Sequence, residues 1–211
     1  MATQAERRAS TRGELLEAAI GSLVEQGYGG FTTADVVRRS GLSNGALFRY
    51  FPTRADLLAA TVEEIFVLLR SDFEAAFGGL PPGERRPGRI LELLWAVMSD
   101  PRLAGVYDIY TAARTDPWMR TAIQPVVADH LERLQELGRN LLAGLPGFDS
   151  AVVDQAMWLA IQAMQGLVVN AMVWPDPAAE VQLLGTLEFL AELLTADALA
   201  GAGPVPEEAP C

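Results

Sequence analysis

Lysine is absent from this chain of 211 residues, and all sixteen basic residues are arginine. We read that bias as the codon usage of a GC-rich genome and attach no function to it. Cysteine occurs once, at Cys211, so no internal disulfide can form and no thiol nucleophile is on offer. Histidine also occurs once, at His130. Asp129 and Glu132 stand beside it, but the three do not share a helical face and a second strong ligand is missing. A hydrogen-bonding role is therefore expected for His130 rather than a metal site. No apolar run reaches the ~18 residues of a membrane span. Arg7 and Arg8 are followed by no apolar core, so no secretory signal is expected and a cytoplasmic location is the default. Ser/His/Asp spacing and a phosphate-cradling glycine loop are also missing. An enzyme, a metal centre or a bound cofactor is therefore not expected.

Half of the residues are hydrophobic, ample for a core, and the formal net charge is −11. That charge is unevenly placed. Through Ala60 there are seven Arg against six acids; beyond it there are nine Arg against 21 acids. A near-neutral N-terminal part with exposed arginines thus precedes a strongly acidic body. Such a split suits a head that reads DNA on a body that discourages nonspecific adhesion to it.

The chain is organised around Thr32 to Phe51, TTADVVRRSGLSNGALFRYF. Thr32 can cap a helix through the N–H of Asp35, which could reach back to the cap, and Phe31 can staple against Val36. Ser40-Gly41 stops that helix, because glycine accepts the left-handed conformation a helix end often needs. Ser43 can cap a second helix that halts before Pro52. There Leu47 and Phe51 share a face that should be buried. The opposite arc carries Asn44, Gly45, Ala46 and Arg49, flanked by Phe48 and Tyr50, with no carboxylate. Small residues at its start permit close approach, and the longer ones reach bases and phosphates, so this helix is shaped for a major groove. A plain helical hairpin in water is the competing reading.

The remaining chain reads as helices. Thr11-x-x-Glu14 has the form of a capping box for a first helix ending at Gly27. Thr53-x-x-Asp56 does the same for a fourth, with Leu58, Val62, Ile65, Leu69 and Phe73 along one face to about Phe77. Residues 78 to 88 form a loop, and a fifth helix follows from about Arg89 to Ser99. Asp-Pro recurs at 100–101, 116–117 and 176–177, each placing a capping carboxylate before a proline at the first helical position. Those pairs open helices near 101–113, 117–143 and 177–196, with a kink expected at Pro125. Another helix is expected over about 150–173. The reading is all-α, about nine helices, with a low-complexity and disordered tail from about 198.

Residues 10 to 66 resemble the DNA-binding domain of the tetracycline-repressor (TetR) family. The resemblance rests on Gly27-Tyr28, Thr32-Thr33, Ser40-Gly41-Leu42-Ser43, Gly45, Leu47, Tyr50-Phe51 and Leu57. It implies an N-terminal three-helix helix-turn-helix domain (1–52), a larger helical ligand-binding and dimerisation domain (53–197), and a tail (198–211). It further implies a regulator, most often a repressor, that binds a palindromic operator as a homodimer and is released by a small molecule. Thr33, Ser43, Tyr50 and Arg54 match phosphate-contact positions; Asn44, Gly45, Ala46, Phe48 and Arg49 match groove-facing ones. Phe48 stands where the family usually has Tyr, and Arg54 replaces the usual Lys, which keeps the charge but changes its reach. The alternative is a helical sensor that no longer binds DNA.

For the dimer, the helices near 150–173 and 177–196 are the candidates. Ala156, Ala160, Met164, Leu167 and Ala171 form a close-approach stripe on the first, and Leu183, Leu187, Leu190 and Leu194 line the second. A helix apolar on every side must be covered on several sides. For the effector, Trp95, Met98, Tyr107, Tyr110, Trp118 and Trp158, with Met119 and Met164, suggest a cavity for an apolar or aromatic compound. Gln162 could orient the ligand, as could Gln165 and Asn170, and Arg114 could meet a carboxylate. The effector, the operator and the controlled genes are not legible.

Overall fold

The structure is a computed structural model that describes residues 3–142 and 150–201. Among those residues there are nine α-helices, a 3-10 turn and no strand: α1 (Gln4–Gly30), α2 (Thr33–Ser40), α3 (Asn44–Tyr50), α4 (Arg54–Gly78), the turn Pro82–Glu84, α5 (Pro87–Met98), α6 (Pro101–Ala113), α7 (Pro117–Leu142), α8 (Ser150–Ala171) and α9 (Pro177–Gly201). They form two compact units. Of the described residues, the first comprises 3–74 and 99–131, the second 75–98, 132–142 and 150–201.

Local chemistry sets most boundaries in the first unit. The N–H of Asp35 donates to Thr32 Oγ1 at 3.1 Å, and that of Ala46 donates to Ser43 Oγ at 3.1 Å. Thr53 and Asp56 close a reciprocal box, Thr53 N–H donating to Asp56 Oδ2 at 2.9 Å and Asp56 N–H to Thr53 Oγ1 at 3.1 Å. Gly41, at φ 69°, ends α2. Gly27, at φ 63°, breaks α1 where the sequence predicts its end. The start of α1 differs from expectation. Thr3 and Glu6 form its capping box, whereas Thr11 lies inside the helix and donates to the Arg7 carbonyl at 2.9 Å. The true start lies two turns upstream, because the polar residues 4–10 make good helix despite having no apolar face to announce them.

The core of this unit gathers Leu15, Leu16, Ala19 and Leu23 of α1 with Phe31, Val36, Leu47 and Phe51. Leu57, Leu58, Val62, Ile65, Phe66 and Leu69 of α4 and Val106 and Ile109 of α6 are buried as well. A Cβ at Gly105 of α6 would stand 2.5 Å from Leu23 Cγ, so glycine there lets α6 approach α1. His130 stacks on Phe66 with ring centroids 3.6 Å apart, and its Nδ1 accepts from Arg70 at 3.1 Å. Burial chiefly, with the Arg70 charge second, lowers its pKa to about 4, against a smaller opposing effect of Asp129. No metal-binding cluster occurs among the described residues.

In the second unit α5, α8 and α9 pack together. All three Asp-Pro pairs open helices: Asp100 accepts from Arg102 N–H at 2.8 Å, Asp116 from Met119 N–H at 3.0 Å, and Asp176 from Ala178 N–H at 2.9 Å. Pro125 lies inside α7, as the sequence predicts. One expectation shifts: α9 continues to Gly201, past the expected start of the tail at 198. Residues 202–211 lie outside the described part. Among the described residues no helix is long and apolar enough to cross a membrane.

Candidate nucleic-acid interface

Seven residues make α3, too few to be stable alone, so its orientation is imposed by what it buries. Leu47 is fully buried and Phe51 is 3% exposed, and these two anchors leave the opposite arc in solvent. Asn44, Gly45, Phe48 and Arg49 are exposed; Ala46 and Tyr50 are half-buried. Phe48, 46% exposed, is a large ring left in water without local need. The first turns of α2 and α4 carry Asp35 and Asp56, whereas that of α3 carries no carboxylate. A polyanion is therefore repelled least at α3. Ser43 is exposed beside it and Thr33 is half-buried at the start of α2.

Not every arginine near α3 is available. Arg38 pairs with Asp35, and Arg39 bridges Asp35 at 2.5 Å and Glu25 at 2.7 Å. The Arg39 hydrogen bond is the main reason that the Asp35 carboxyl is held down at about 2. This carboxylate therefore serves its arginines rather than reaching back to Thr32. Spacing carried a signal for part of that network, because Arg38 and Arg39 stand three and four residues after Asp35. Arg54 is spoken for as well. Its guanidinium lies 4.6 Å from the Tyr28 ring centroid and donates to the Tyr28 hydroxyl at 3.2 Å. It also donates to the carbonyls of Tyr28 at 3.1 Å and Phe31 at 3.2 Å. This clamp joins residues far apart in the chain, and no local pattern announces it. Arg49 makes no ion pair among the described residues.

The residues named for an effector fall in both units. Met98 and Tyr107 are buried, Trp95 and Tyr110 are half-buried, and Tyr107 meets Tyr110 edge to face at 6.1 Å. Burial raises both phenols, Tyr107 to about 12. Arg114 and Gln162 are exposed, as are Trp118 at 83% and Trp158 at 59%. Within the second unit an apolar cleft of about 100 Å³ lies between α5, α8 and α9. Leu91 and Leu94, Ala156 and Ala160, and Leu187 and Ala191 line it, and none of the eight expected residues does. The inferred dimer stripe of α8 turns inward: Ala160 and Met164 are buried, with Ala156, Leu167 and Ala171 half-buried; on α9 Leu187 is buried and Leu183 half-buried, whereas Leu190 and Leu194 are exposed. The face of α8 in solvent is instead Trp158, Gln162, Gly166 and Val169. On α9 it is Val181, Gly185, Phe189 and Leu193. An all-apolar helix hides which of its sides faces its own unit, so periodicity could not separate the two stripes.

Residues 15–61 match the model of the bacterial regulatory proteins of the tetR family. The chain is 31% identical over 174 residues to the HTH-type transcriptional regulator CymR of Pseudomonas putida, covering 82% of this chain and 85% of that protein. It is 29% identical over 194 residues to an uncharacterised HTH-type transcriptional regulator of Mycobacterium tuberculosis, covering 92% and 97%. Among solved structures, the transcriptional regulator FadR of Bacillus subtilis, in complex with stearoyl-CoA, superposes with a TM-score of 0.57 at 16% identity. That likeness covers 88% of this chain and 98% of FadR.

Proposed function

From the premise that this chain belongs to the TetR family of bacterial transcriptional regulators, we propose that it is a cytoplasmic repressor. It binds a palindromic operator as a homodimer and is released by a small apolar or aromatic molecule. Residues 1–52 form the reading head and 53–197 the ligand-binding and dimerisation body. One observation carries the reading: α3 is anchored by Leu47 and Phe51 and holds Asn44, Gly45, Phe48 and Arg49 in solvent. In the roles assigned, Asn44, Gly45, Ala46, Phe48 and Arg49 meet base edges, while Thr33, Ser43 and Tyr50 hold phosphates. Phe48 offers its ring to a thymine methyl or a sugar. Arg54 acts by clamping Tyr28 and Phe31, and so orients the head.

The dimer reading draws on the exposed face of α8 and α9, where Trp158, Val169, Val181, Phe189 and Leu193 remain in solvent in the single chain. Gly166 and Gly185, exposed on the same faces, would permit close approach of a second copy. A four-helix interface would cover both helices, and two heads would then meet two half-sites one helical turn apart. The effector reading draws on the cleft between α5, α8 and α9, whose wall is entirely apolar and favours an uncharged ligand. FadR, holding stearoyl-CoA, is a precedent in this fold for a bound small molecule. Coupling of ~1–3 kcal/mol between effector and operator would suffice for induction.

Selection of duplexes from a randomised pool tests the reading directly. The protein is expected to enrich a palindrome, and failure to enrich any sequence would end it. Arg49→Ala should then weaken the enriched duplex by ~1–3 kcal/mol while leaving a scrambled duplex nearly unaffected, if Arg49 reads a guanine. Equal loss on both would make Arg49 a phosphate contact instead.

A further inference from the structure

Acid partners hold some of the arginines of the first unit. Arg38 and Arg39 are held by Asp35 and Glu25, and Arg102 by Asp72 and Asp100. Arg54 is held by backbone carbonyls. Arg8 and Arg12 of α1 are different: both are exposed, and neither pairs with a carboxylate among the described residues.

Their positions on the helix are informative. At 3.6 residues per turn, Arg8 and Arg12 lie on one stripe with Leu15, Leu16, Ala19 and Leu23. Those four are at most 1% exposed. The side of α1 that enters the core is thus continued beyond it by two arginines. Glu6, Glu14 and Glu17 fall on the other side of the helix, and Glu6 is occupied by the N–H of Thr3 at 2.6 Å. A contact gives the stripe its bearing. The Arg12 guanidinium carbon lies 5.8 Å from the ring centroid of Phe51, the residue that closes α3, and the Phe51 ring is 6.4 Å from that of Tyr50. Arg12 therefore stands at the end of the groove-facing helix, and Arg8 lies one turn farther out on the same side.

We propose that Arg8 and Arg12 form a phosphate-binding strip that grips the duplex backbone beside the bases met by α3. The inference rests on the DNA-binding reading above and adds to it a contact made by α1. It resolves an electrostatic difficulty: α3 itself contributes one arginine, on a chain whose net charge is −11. Attraction to DNA acts within a Debye length of about 8–10 Å, so two unpaired guanidinium groups at the interface outweigh acids placed farther away. Phosphate contacts carry no sequence information, so the strip adds affinity and register, while α3 supplies the choice of site.

The test uses the full-length protein, the duplex it enriches from a randomised pool, and a scrambled duplex of equal length. Affinity is measured against KCl concentration for the wild type, Arg8→Ala, Arg8→Ala/Arg12→Ala and Arg8→Lys/Arg12→Lys. The double alanine variant is expected to weaken both duplexes by the same factor. Its log–log salt slope should fall by about 0.9 for each phosphate no longer neutralised, and the lysine pair should restore most of that slope. Arg12 lies over the Phe51 ring, whereas Arg8 is exposed one turn farther out, so Arg8→Ala alone reports the strip if the double variant loosens the fold. Unchanged slopes for both alanine variants, with the wild type still enriching its palindrome, would overturn the strip and leave the DNA reading standing. A loss confined to the enriched duplex would overturn it too, by making these arginines base readers. A wild type that enriches nothing would overturn both.

Discussion

The two compact units differ in how completely each covers itself. The first is finished by polar chemistry: helices start at Thr32, Ser43 and Thr53, each with a side-chain cap. Asp35, Arg39 and Glu25 tie α1 to α2, and its large apolar side chains are mostly inside. The second leaves Trp158 and Val169 of α8 and Val181, Phe189 and Leu193 of α9 in water. Scattered exposed apolar residues are ordinary, but an aligned set on two adjacent helices marks an interaction surface. Polar chemistry thus closes the first unit, whereas the second keeps an apolar face that the proposed dimer would cover.

The largest effect should come from that unfinished face. Phe189→Arg would bury an unpaired charge in a dimer, at a cost of about 3–5 kcal/mol. The expected outcome is a monomer in sedimentation equilibrium with normal helicity and little operator affinity. An unchanged dimer would show that the two units are more alike than their surfaces suggest.

Leu47→Ala tests the other side of the comparison. It removes a fully buried side chain from a seven-residue helix, and chemical denaturation should show a loss of about 2–4 kcal/mol. Dimerisation through the second unit should survive, because the damage is confined to the head.

His130 offers a pH test within the first unit. Its folded pKa of about 4 lies below the ordinary 6.5, so the unfolded chain binds more protons between those values. Stability is therefore fully present above about 6.5 and declines as the pH falls toward about 4, by about 3 kcal/mol. Denaturation curves at pH 7 and pH 4.5 should show the decline in wild type and a flatter dependence in His130→Gln. The smallest effect is expected from Ser43→Ala, about 1 kcal/mol from loss of the bond to the Ala46 N–H. Hydrogen exchange should place that loss in α3.

Legibility followed the same division. Caps, the glycine stop at Gly41 and the Asp-Pro starts are local events within three or four residues, and each was readable from residue type and spacing. The start of α1 differs from the reading because residues 4–10 carry no apolar face, and the Thr3 box, not Thr11, lies at the helix end. The Arg54 clamp on Tyr28 and Phe31 joins distant residues and left no trace in the pattern. Nor did the cleft wall, since alanine and leucine on α8 and α9 read alike whether they face a void, a neighbour or water.

By itself the sequence determined the family, the all-helical class, the boundaries of most helices and the arc of α3 turned to solvent. Each of these depends on short-range hydrogen bonding or on the period of apolar residues, and both are written locally. Only the tertiary structure decided which arginines are occupied and which are available. It alone decided which side of α8 lies inside. Those are questions of partner and neighbour, settled by residues brought together across the chain.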